Sequence, residues 1–159
     1  MPEPTICRLP EDFDRWDELL ALIMRSFAYM DGVIEPPSSA HLLSAAALRD
    51  KAKVETGFIA TSGDRLVGCI FAAERPDAYY VGKLAVDEGM RGHGIARRLM
   101  QATERHAVSR GKPALELQSR VELHANHSTF ARLGFIEVER TAHQGFDRPT
   151  SITFRKVLA

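Results

Sequence analysis

Residues 91–97 combine side chains and spacing that suit phosphate chemistry. Arg91, Gly92 and Gly94 stand directly before a run with helical periodicity. The first turn of a helix leaves backbone N–H groups without partners inside the helix, and it carries a partial positive charge. Because the two glycines have no side chain in the way, a phosphate can approach those N–H groups, and Arg91 adds a positive charge. The pattern therefore predicts a phosphate-binding cradle.

Two other phosphate-binding loops fit this stretch less well. A P-loop ends in Lys followed by Ser or Thr, whereas Ile95 and Ala96 stand at those places here. A dinucleotide-binding fingerprint needs a third glycine, and Arg97 takes its place, although Glu116 lies near the spacing expected for a ribose-binding acid. A plain turn before an exposed helix start is the purely structural alternative.

Two motifs together are more specific than the glycines alone. Residues 91–96 read Arg-Gly-His-Gly-Ile-Ala after a strand-like end at 84–86, and residues 130–135 read Phe-Ala-Arg-Leu-Gly-Phe. They resemble the Arg/Gln-x-x-Gly-x-Gly/Ala loop and the Tyr-x-x-x-Gly-Phe motif of the GCN5-related N-acetyltransferases, the GNAT family. The resemblance runs from the first predicted strand to the last. Phe130 stands where many members carry Tyr.

The resemblance implies acetyl-CoA as the cofactor, with CoA as the product. Asn126 is similar to an Asn that contacts the pantetheine arm in many members, although it lies closer than usual to the second motif. The implied cofactor-binding residues are Leu84, Ala85, Val86, Arg91, Gly92, His93, Gly94, Ile95, Ala96, Arg97, Asn126 and Phe130.

The implied reaction is transfer of an acetyl group to a primary amine by direct attack in a ternary complex. Negative charge then develops on the thioester oxygen, and a backbone N–H near Val86, freed by a splay between strands four and five, would stabilise it. Because most amines are protonated at neutral pH, a base must also take a proton. The catalytic candidates are Glu74, Glu35 and Tyr80, with Tyr80 as an acid in place of the hydroxyl that Phe130 lacks.

Other roles stay open at this point. Asp31, Glu116 and His124 are further base candidates, Tyr79 is a further acid candidate, and the reaction could also proceed without a dedicated acid. Phe130 keeps a second function open, a non-catalytic acyl-CoA-binding sensor or interaction domain on the same scaffold. A nucleotide-binding enzyme of another class is the third alternative.

Residues 30–40 are predicted to line the acceptor side of the cleft. Glycine and proline interrupt the helical pattern there, and in the resembled family the first two helices and their connection commonly line that side. Asp31, Glu35 and Ser38 are the implied substrate-binding residues, while Ser38 is equally suited to cap the next helix. Residues 141–150 form a second variable loop. The acceptor stays open between a small-molecule amine and a peptide amine.

The rest of the chain supplies the elements that position these residues. Strands are predicted at 5–9, 57–61, 66–73, 78–86, 114–118, 135–140 and 152–158, and helices from about Pro10, over 40–54, from about 95 to 110 and over 124–133. Three antiparallel strands before the cradle argue against a doubly wound sheet. The resemblance implies an α/β (α+β) fold: a mixed, mostly antiparallel sheet of six to seven strands, flanked by about four helices, with strands four and five parallel and splayed.

Length and composition set the outer bounds. A chain of 159 residues, 45% hydrophobic and 26% charged, is expected to form one domain over residues 1–159. Lys plus Arg equals Asp plus Glu, 21 each, so no general attraction to nucleic acid or to a membrane is expected. Without an evident signal peptide or an apolar span of ~20 residues, the expected location is the cytoplasm. The scattered histidines predict no metal site. Dimers are common in the resembled family, so a homodimer is one expectation.

Overall fold

The computed structural model describes residues 3–158, so the two ends of the expected 1–159 domain lie outside it. The strands are β1 (Thr5–Arg8), β2 (Thr56–Ser62), β3 (Arg65–Glu74), β4 (Tyr79–Val86), β5 (Ala114–Arg120), β6 (Ile136–Thr141) and β7 (Ser151–Val157). The helices are α1 (Trp16–Phe27), α2 (Ala45–Val54), α3 (Ile95–Ser109) and α4 (His124–Arg132), with short 3₁₀ turns at Ala28–Met30, Ser39–Leu42 and Glu88–Met90. Across the described residues, none of the helices combines the length and the apolarity that crossing a membrane requires.

The seven strands form one mixed sheet in the order β1-β2-β3-β4-β5-β7-β6. Every neighbouring pair is antiparallel except β4 and β5, which are parallel. Parallel neighbours need a crossover connection, and α3 supplies it. The predicted mixed, mostly antiparallel sheet with strands four and five parallel is confirmed.

Helices cover both faces of the sheet. On one face, α3 and α4 pack over a cluster that includes Leu99, Leu115, Leu117 and Phe154. On the other face, α1 and α2 pack over a second cluster centred on Phe71. The α3 face is buried at spacings of three and four residues, as its periodicity predicts. The sheet is therefore sandwiched, and the crossover helix begins next to the end of β4.

Two helix boundaries differ from the prediction. α1 begins at Trp16 rather than near Pro10, because Leu9 still donates a backbone hydrogen bond to Gly57 and the chain then makes a turn. The predicted 40–54 helix is divided, since Leu43 adopts an extended conformation with ψ 145°. Ser44 then caps α2 by accepting a hydrogen bond from the Ala47 N–H at 3.0 Å.

Candidate functional site

Two glycines before α3 form the open face of the cradle. Gly92 and Gly94 have φ angles of 83° and 74°, in the left-handed region that glycine adopts at little cost. A Cβ atom placed on either would meet no atom within 4 Å. Gly94 caps the helix, and its carbonyl accepts the first helical hydrogen bond from the Arg98 N–H at 3.0 Å. The N–H groups of residues 95–97 therefore have no partner inside the helix and lie beside open space.

Buried contacts with the sheet and the core fix the position of the cradle. Asp87 Oδ1 accepts a hydrogen bond from the Gly89 N–H at 2.9 Å, and its Oδ2 lies 2.7 Å from Arg65 Nη2. Ile95 is 1% exposed and anchors the first turn of α3 in the core. A Cβ on Gly68 of β3 would come within 2.9 Å of the Ile95 Cγ2 atom, so the close approach of helix and sheet depends on that glycine. The cradle is thus fixed by packing on one side and open on the other.

The charged side chains of the cradle point outward. Arg91 and Arg97 are exposed, so both guanidinium groups are available to an anion at the helix start. His93 Nδ1 lies 3.0 Å from the Met90 carbonyl oxygen and 3.2 Å from that of Arg91, which ties the ring to its own loop. Arg98 is used elsewhere, because its Nη1 donates to the Pro4 carbonyl at 2.8 Å.

β4 and β5 separate beside the cradle. Their parallel pairing runs from Tyr79–Leu115 to Val81–Leu117, after which each strand continues against its other neighbour. The β3–β4 register shifts in the same stretch, and Lys83 there has a positive φ of 54°. We call the gap between residues 82–86 of β4 and 118–120 of β5 the splay. The structure thus has the splay that the resemblance implies.

A backbone N–H of β4 points toward the splay, away from β3. The Asp87 N–H donates to the Val67 carbonyl on β3 at 2.8 Å, so the backbone of Val86, one residue earlier, faces the opposite edge, toward β5. In agreement, the Val86 carbonyl accepts a hydrogen bond from Ser26 Oγ at 3.1 Å. Leu84 and Val86 pack against the α3 side and Ala85 against the α1 side. The Val86 N–H is therefore aimed into the gap.

Two buried polar atoms lie at the C-terminal end of β5 and just after it. Within residues 3–158, Ser119 Oγ and Glu122 Oε1 are buried and have no hydrogen-bond partner. A buried polar group left unpaired costs about 1–3 kcal/mol. The sequence motifs point to neither residue. The signal available for Ser119 was a polar residue in a strand whose alternate positions, Leu115 and Leu117, face the core.

The connection between α1 and α2 closes one side of the splay. Asn126, on α4, donates to the Tyr29 hydroxyl at 2.8 Å. Arg120 donates to the Pro36 carbonyl at 2.7 Å, and the Glu35 N–H donates to Glu122 Oε2 at 3.3 Å. Beneath these bonds, a small apolar cluster is formed by Met30, Ile34 and Leu123. Tyr29 joins the site only through this tertiary contact, which no local pattern in the sequence signals.

The predicted acceptor residues lie in this connection between α1 and α2. Asp31 Oδ1 is 2.7 Å from His41 Nε2, and Glu35 Oε2 is 3.9 Å from Arg148 Nη2. The second pair brings the two predicted specificity loops, 30–40 and 141–150, together. The Ser38 side chain already makes a local contact, because its Oγ accepts a hydrogen bond from the Ala40 N–H at 3.1 Å.

Loop 30–40 also contacts β4 at the splay. Lys83, at the register shift, donates from Nζ to Ser39 Oγ at 3.4 Å. Burial lowers the pKa of Lys83, and the charge of the neighbouring Lys51 lowers it further. Loop 30–40 is therefore a neighbour of the splay as well as of the 141–150 loop.

Glu74 and Tyr80 lie at the other end of β4. Glu74 pairs with Tyr79 at the start of that strand, and its carboxylate is 3.6 Å from Arg110 Nη2. Burial raises the pKa of Tyr80, which lies under the Arg75 guanidinium. Tyr80 lies six positions before Val86, about 20 Å along a strand. The structure therefore does not bring either side chain to the cradle or to the Val86 N–H.

Phe130 has a packing role on α4. Its ring centroid lies 6.2 Å from that of Phe135 and 5.9 Å from that of Phe154. The His124 and His127 rings meet edge to face with their centroids 5.6 Å apart, and His127 Nε2 is 2.9 Å from the Arg120 carbonyl oxygen. In the part of the chain that the structure describes, no three His, Cys, Asp or Glu side chains form a group that could hold a metal ion.

Comparisons with known proteins agree with this geometry. The model of the Acetyltransferase (GNAT) family matches residues 16–135. A curated relative, N-alpha-acetyltransferase 30 of Schizosaccharomyces pombe, is 31% identical over 93 residues, which cover 54% of this chain and only 61% of the relative. A solved acetyltransferase from Streptococcus agalactiae 2603 has a TM-score of 0.77 at 15% identity, covering 99% of this chain and 100% of that chain. An aminoglycoside 6'-N-acetyltransferase complexed with coenzyme A has a TM-score of 0.75 at 18% identity, covering 96% of each chain. Both solved structures share the fold described above.

Proposed function

We propose that this chain, which belongs to the GNAT family of acetyltransferases, moves an acetyl group from acetyl-CoA to a primary amine by direct attack in a ternary complex. Membership of the family supports acetyl-CoA-dependent acetyl transfer in general, and acetyl-CoA is the cofactor. The observation that carries the finer proposal is the open glycine cradle at the start of α3, directly beside the splay of β4 and β5.

The residues present fit this cofactor. The cradle has free N–H groups at residues 95–97, no atom within 4 Å of the Cβ positions of Gly92 and Gly94, and exposed guanidinium groups at Arg91 and Arg97. These groups would hold the pyrophosphate. Leu84, Val86 and Asn126, together with the remaining residues of the cradle, would border the pantetheine arm. Phe130 would contribute apolar contact alone.

Acetyl-CoA supplies the acetyl group as a thioester. The Val86 N–H is aimed into the splay, where it would donate a hydrogen bond to the carbonyl oxygen as negative charge develops there. The cost of orienting this donor is met during folding, because the Asp87 and Ser26 contacts on either side already fix its direction. The 30–40 wall, with Asp31 and Glu35, is the proposed place where the acceptor ammonium loses its proton.

The acceptor is proposed to be an amine that reaches the splay past loops 30–40 and 141–150. The Schizosaccharomyces pombe relative is named an N-alpha-acetyltransferase, which supports testing peptide N-termini first and small-molecule amines second. Asp31 and Glu35 would attract a cationic amine, and Ser38 is proposed to contact the acceptor. We also propose that residues 1–159 form a single domain, which limited proteolysis would test. A homodimer is proposed, to be tested by light scattering, and a cytoplasmic location, to be tested by cell imaging.

The decisive experiment measures free thiol released from acetyl-CoA in the presence of a panel of peptides and small amines. Turnover above the rate without amine, accompanied by a mass increase of the acceptor, is expected for at least one class. The specific rival is a non-catalytic acyl-CoA sensor, which Phe130 favours because its packed ring has no proton to give. Tight CoA binding without turnover on any amine would support that rival and refute the proposed acetyl transfer.

A further inference from the structure

Ser119 is a polar residue on the face of β5 whose other side chains are buried in the core. Leu115, Leu117 and Ser119 alternate along β5, so the three side chains share one face of the sheet. Leu117 and Ile152, the residue paired with Ser119 on β7, both belong to the cluster beneath α3 and α4. Ser119 therefore faces the α3–α4 side, the side on which the cradle lies.

Ser119 also borders the splay. The last pair between β4 and β5 is Val81–Leu117, and Ser119 is the next residue of β5 on that face. It is 6% exposed, and among the residues the structure describes its hydroxyl has no hydrogen-bond partner. Buried hydroxyl groups are almost always hydrogen-bonded, so the unpaired Ser119 hydroxyl indicates that a ligand in the splay supplies its acceptor.

Phe130, where the resemblance implies a tyrosine, offers the reaction no side-chain donor. When an amine displaces CoA, the sulfur gains an electron pair, and a hydrogen-bond donor nearby stabilises it. Phe130, packed into the same cluster as Leu117, has no polar atom. Ser119 is thus an unused hydroxyl next to a site that needs one.

We propose that Ser119 Oγ–H donates a hydrogen bond to the sulfur of CoA. This inference rests on the proposed function. As the new C–N bond forms, the C–S bond breaks and its electron pair goes to sulfur, which takes up the proton that the amine loses. Ser119 keeps its own proton throughout, because a hydroxyl is a much weaker acid than a thiol, whose usual pKa is about 8.5.

The test uses calorimetric titration of the whole protein with CoA and with desulfo-CoA, which lacks the thiol. The wild type is expected to prefer CoA, and Ser119→Ala is expected to lose about fivefold of that preference, the contribution of one ordinary hydrogen bond to a neutral thiol. Ser119→Thr, which keeps the hydroxyl, is expected to retain more of the preference than Ser119→Ala does. Thr103→Val serves as the matched control, because Thr103 is a buried hydroxyl on α3 that already donates to the Leu99 carbonyl at 2.9 Å.

Thermal unfolding without ligand gives a second readout that is independent of activity. Ser119→Ala removes an unpaired buried hydroxyl and is expected to raise the Tm by about 2–4 °C, whereas Thr103→Val removes a paired one and is expected to lower it. If the wild type binds both ligands and Ser119→Ala keeps the full preference for CoA, the role of Ser119 is refuted while the proposed function stands. If the wild type binds neither ligand, the proposed function fails and this inference fails with it.

Discussion

Replacing Gly94 with Ala separates cofactor binding from stability, because the same helix provides a matched control. Gly94 and Gly111 lie at opposite ends of α3, both have a φ of 74°, and a Cβ on either would meet no atom within 4 Å. An L-residue in the left-handed region costs about 1–2 kcal/mol. For a chain of this size that lowers the Tm by about 2–8 °C, and the loss should be similar for Gly94→Ala and Gly111→Ala.

The two variants should differ in their response to CoA. At a CoA concentration of about one hundred times Kd, a ligand that binds only the folded state stabilises it by about 2.7 kcal/mol, or about 5–11 °C in Tm. A methyl group at Gly94 would stand in front of the free N–H groups of residues 95–97. Losing one or two hydrogen bonds to a charged phosphate, at about 1.5–3 kcal/mol each, weakens binding by about a hundredfold. The remaining CoA stabilisation would be about 0.4 kcal/mol, or about 1–2 °C.

The assay is thermal unfolding with and without CoA at one fixed concentration, for the wild type and both variants. Gly111→Ala should keep the full CoA-dependent shift and Gly94→Ala should lose most of it. Equal shifts in the two variants would refute the placement of the phosphate at the start of α3, whatever happens to the Tm of the free protein. An isothermal titration of the same three proteins would give the Kd ratio directly.

Three further outcomes follow from the described contacts. Burial raises the pKa of the Cys69 thiol to about 12, whereas Cys7 is exposed, so a thiol-reactive dye should label Cys7 in the folded protein and both cysteines only after unfolding. Burial, then the charges of two nearby arginines, lowers the pKa of His106 below its usual 6.5. The unfolded chain then binds more protons than the folded one below about pH 6.5, so the free energy of unfolding should fall as the pH drops through that value, and His106→Gln should reduce the fall in urea titrations. Glu74→Gln and Tyr80→Phe should leave the rate of thiol release unchanged, since both side chains lie at the far end of β4, and a large loss in either would contradict that placement.

Much of the cradle was predictable because its physics is local. Two glycines before a helical repeat, with an arginine alongside, specify free N–H groups and room in front of them without any distant partner. The periods of two and 3.6 residues likewise located the strands and most helices. The start of α1 could not be read this way, because the hydrogen bond from Leu9 to Gly57 joins residues far apart in sequence.

The catalytic candidates show where residue type ceases to be informative. Glu74 and Tyr80 carry an acid and a hydroxyl near predicted strand four, but the register of β3 against β4 puts them at the end of β4 opposite Val86. Glu35 is an acid within the loop 30–40 that is predicted to line the acceptor side, and its contacts with Arg148 and Glu122 hold that loop beside the splay.

From the sequence alone came the family resemblance, with the acetyl-CoA cofactor that it implies, the open glycine turn before α3, and the order of strands and helices along the chain. The turn and the element order depend on short-range spacing and on backbone groups whose geometry follows from local conformation. The tertiary structure alone decided where the parallel pairing of β4 and β5 stops, which way the Val86 N–H points, and that the side-chain oxygens Ser119 Oγ and Glu122 Oε1 are buried. Strand register and burial are set by partners scattered over the whole chain, so no window of the sequence contains them.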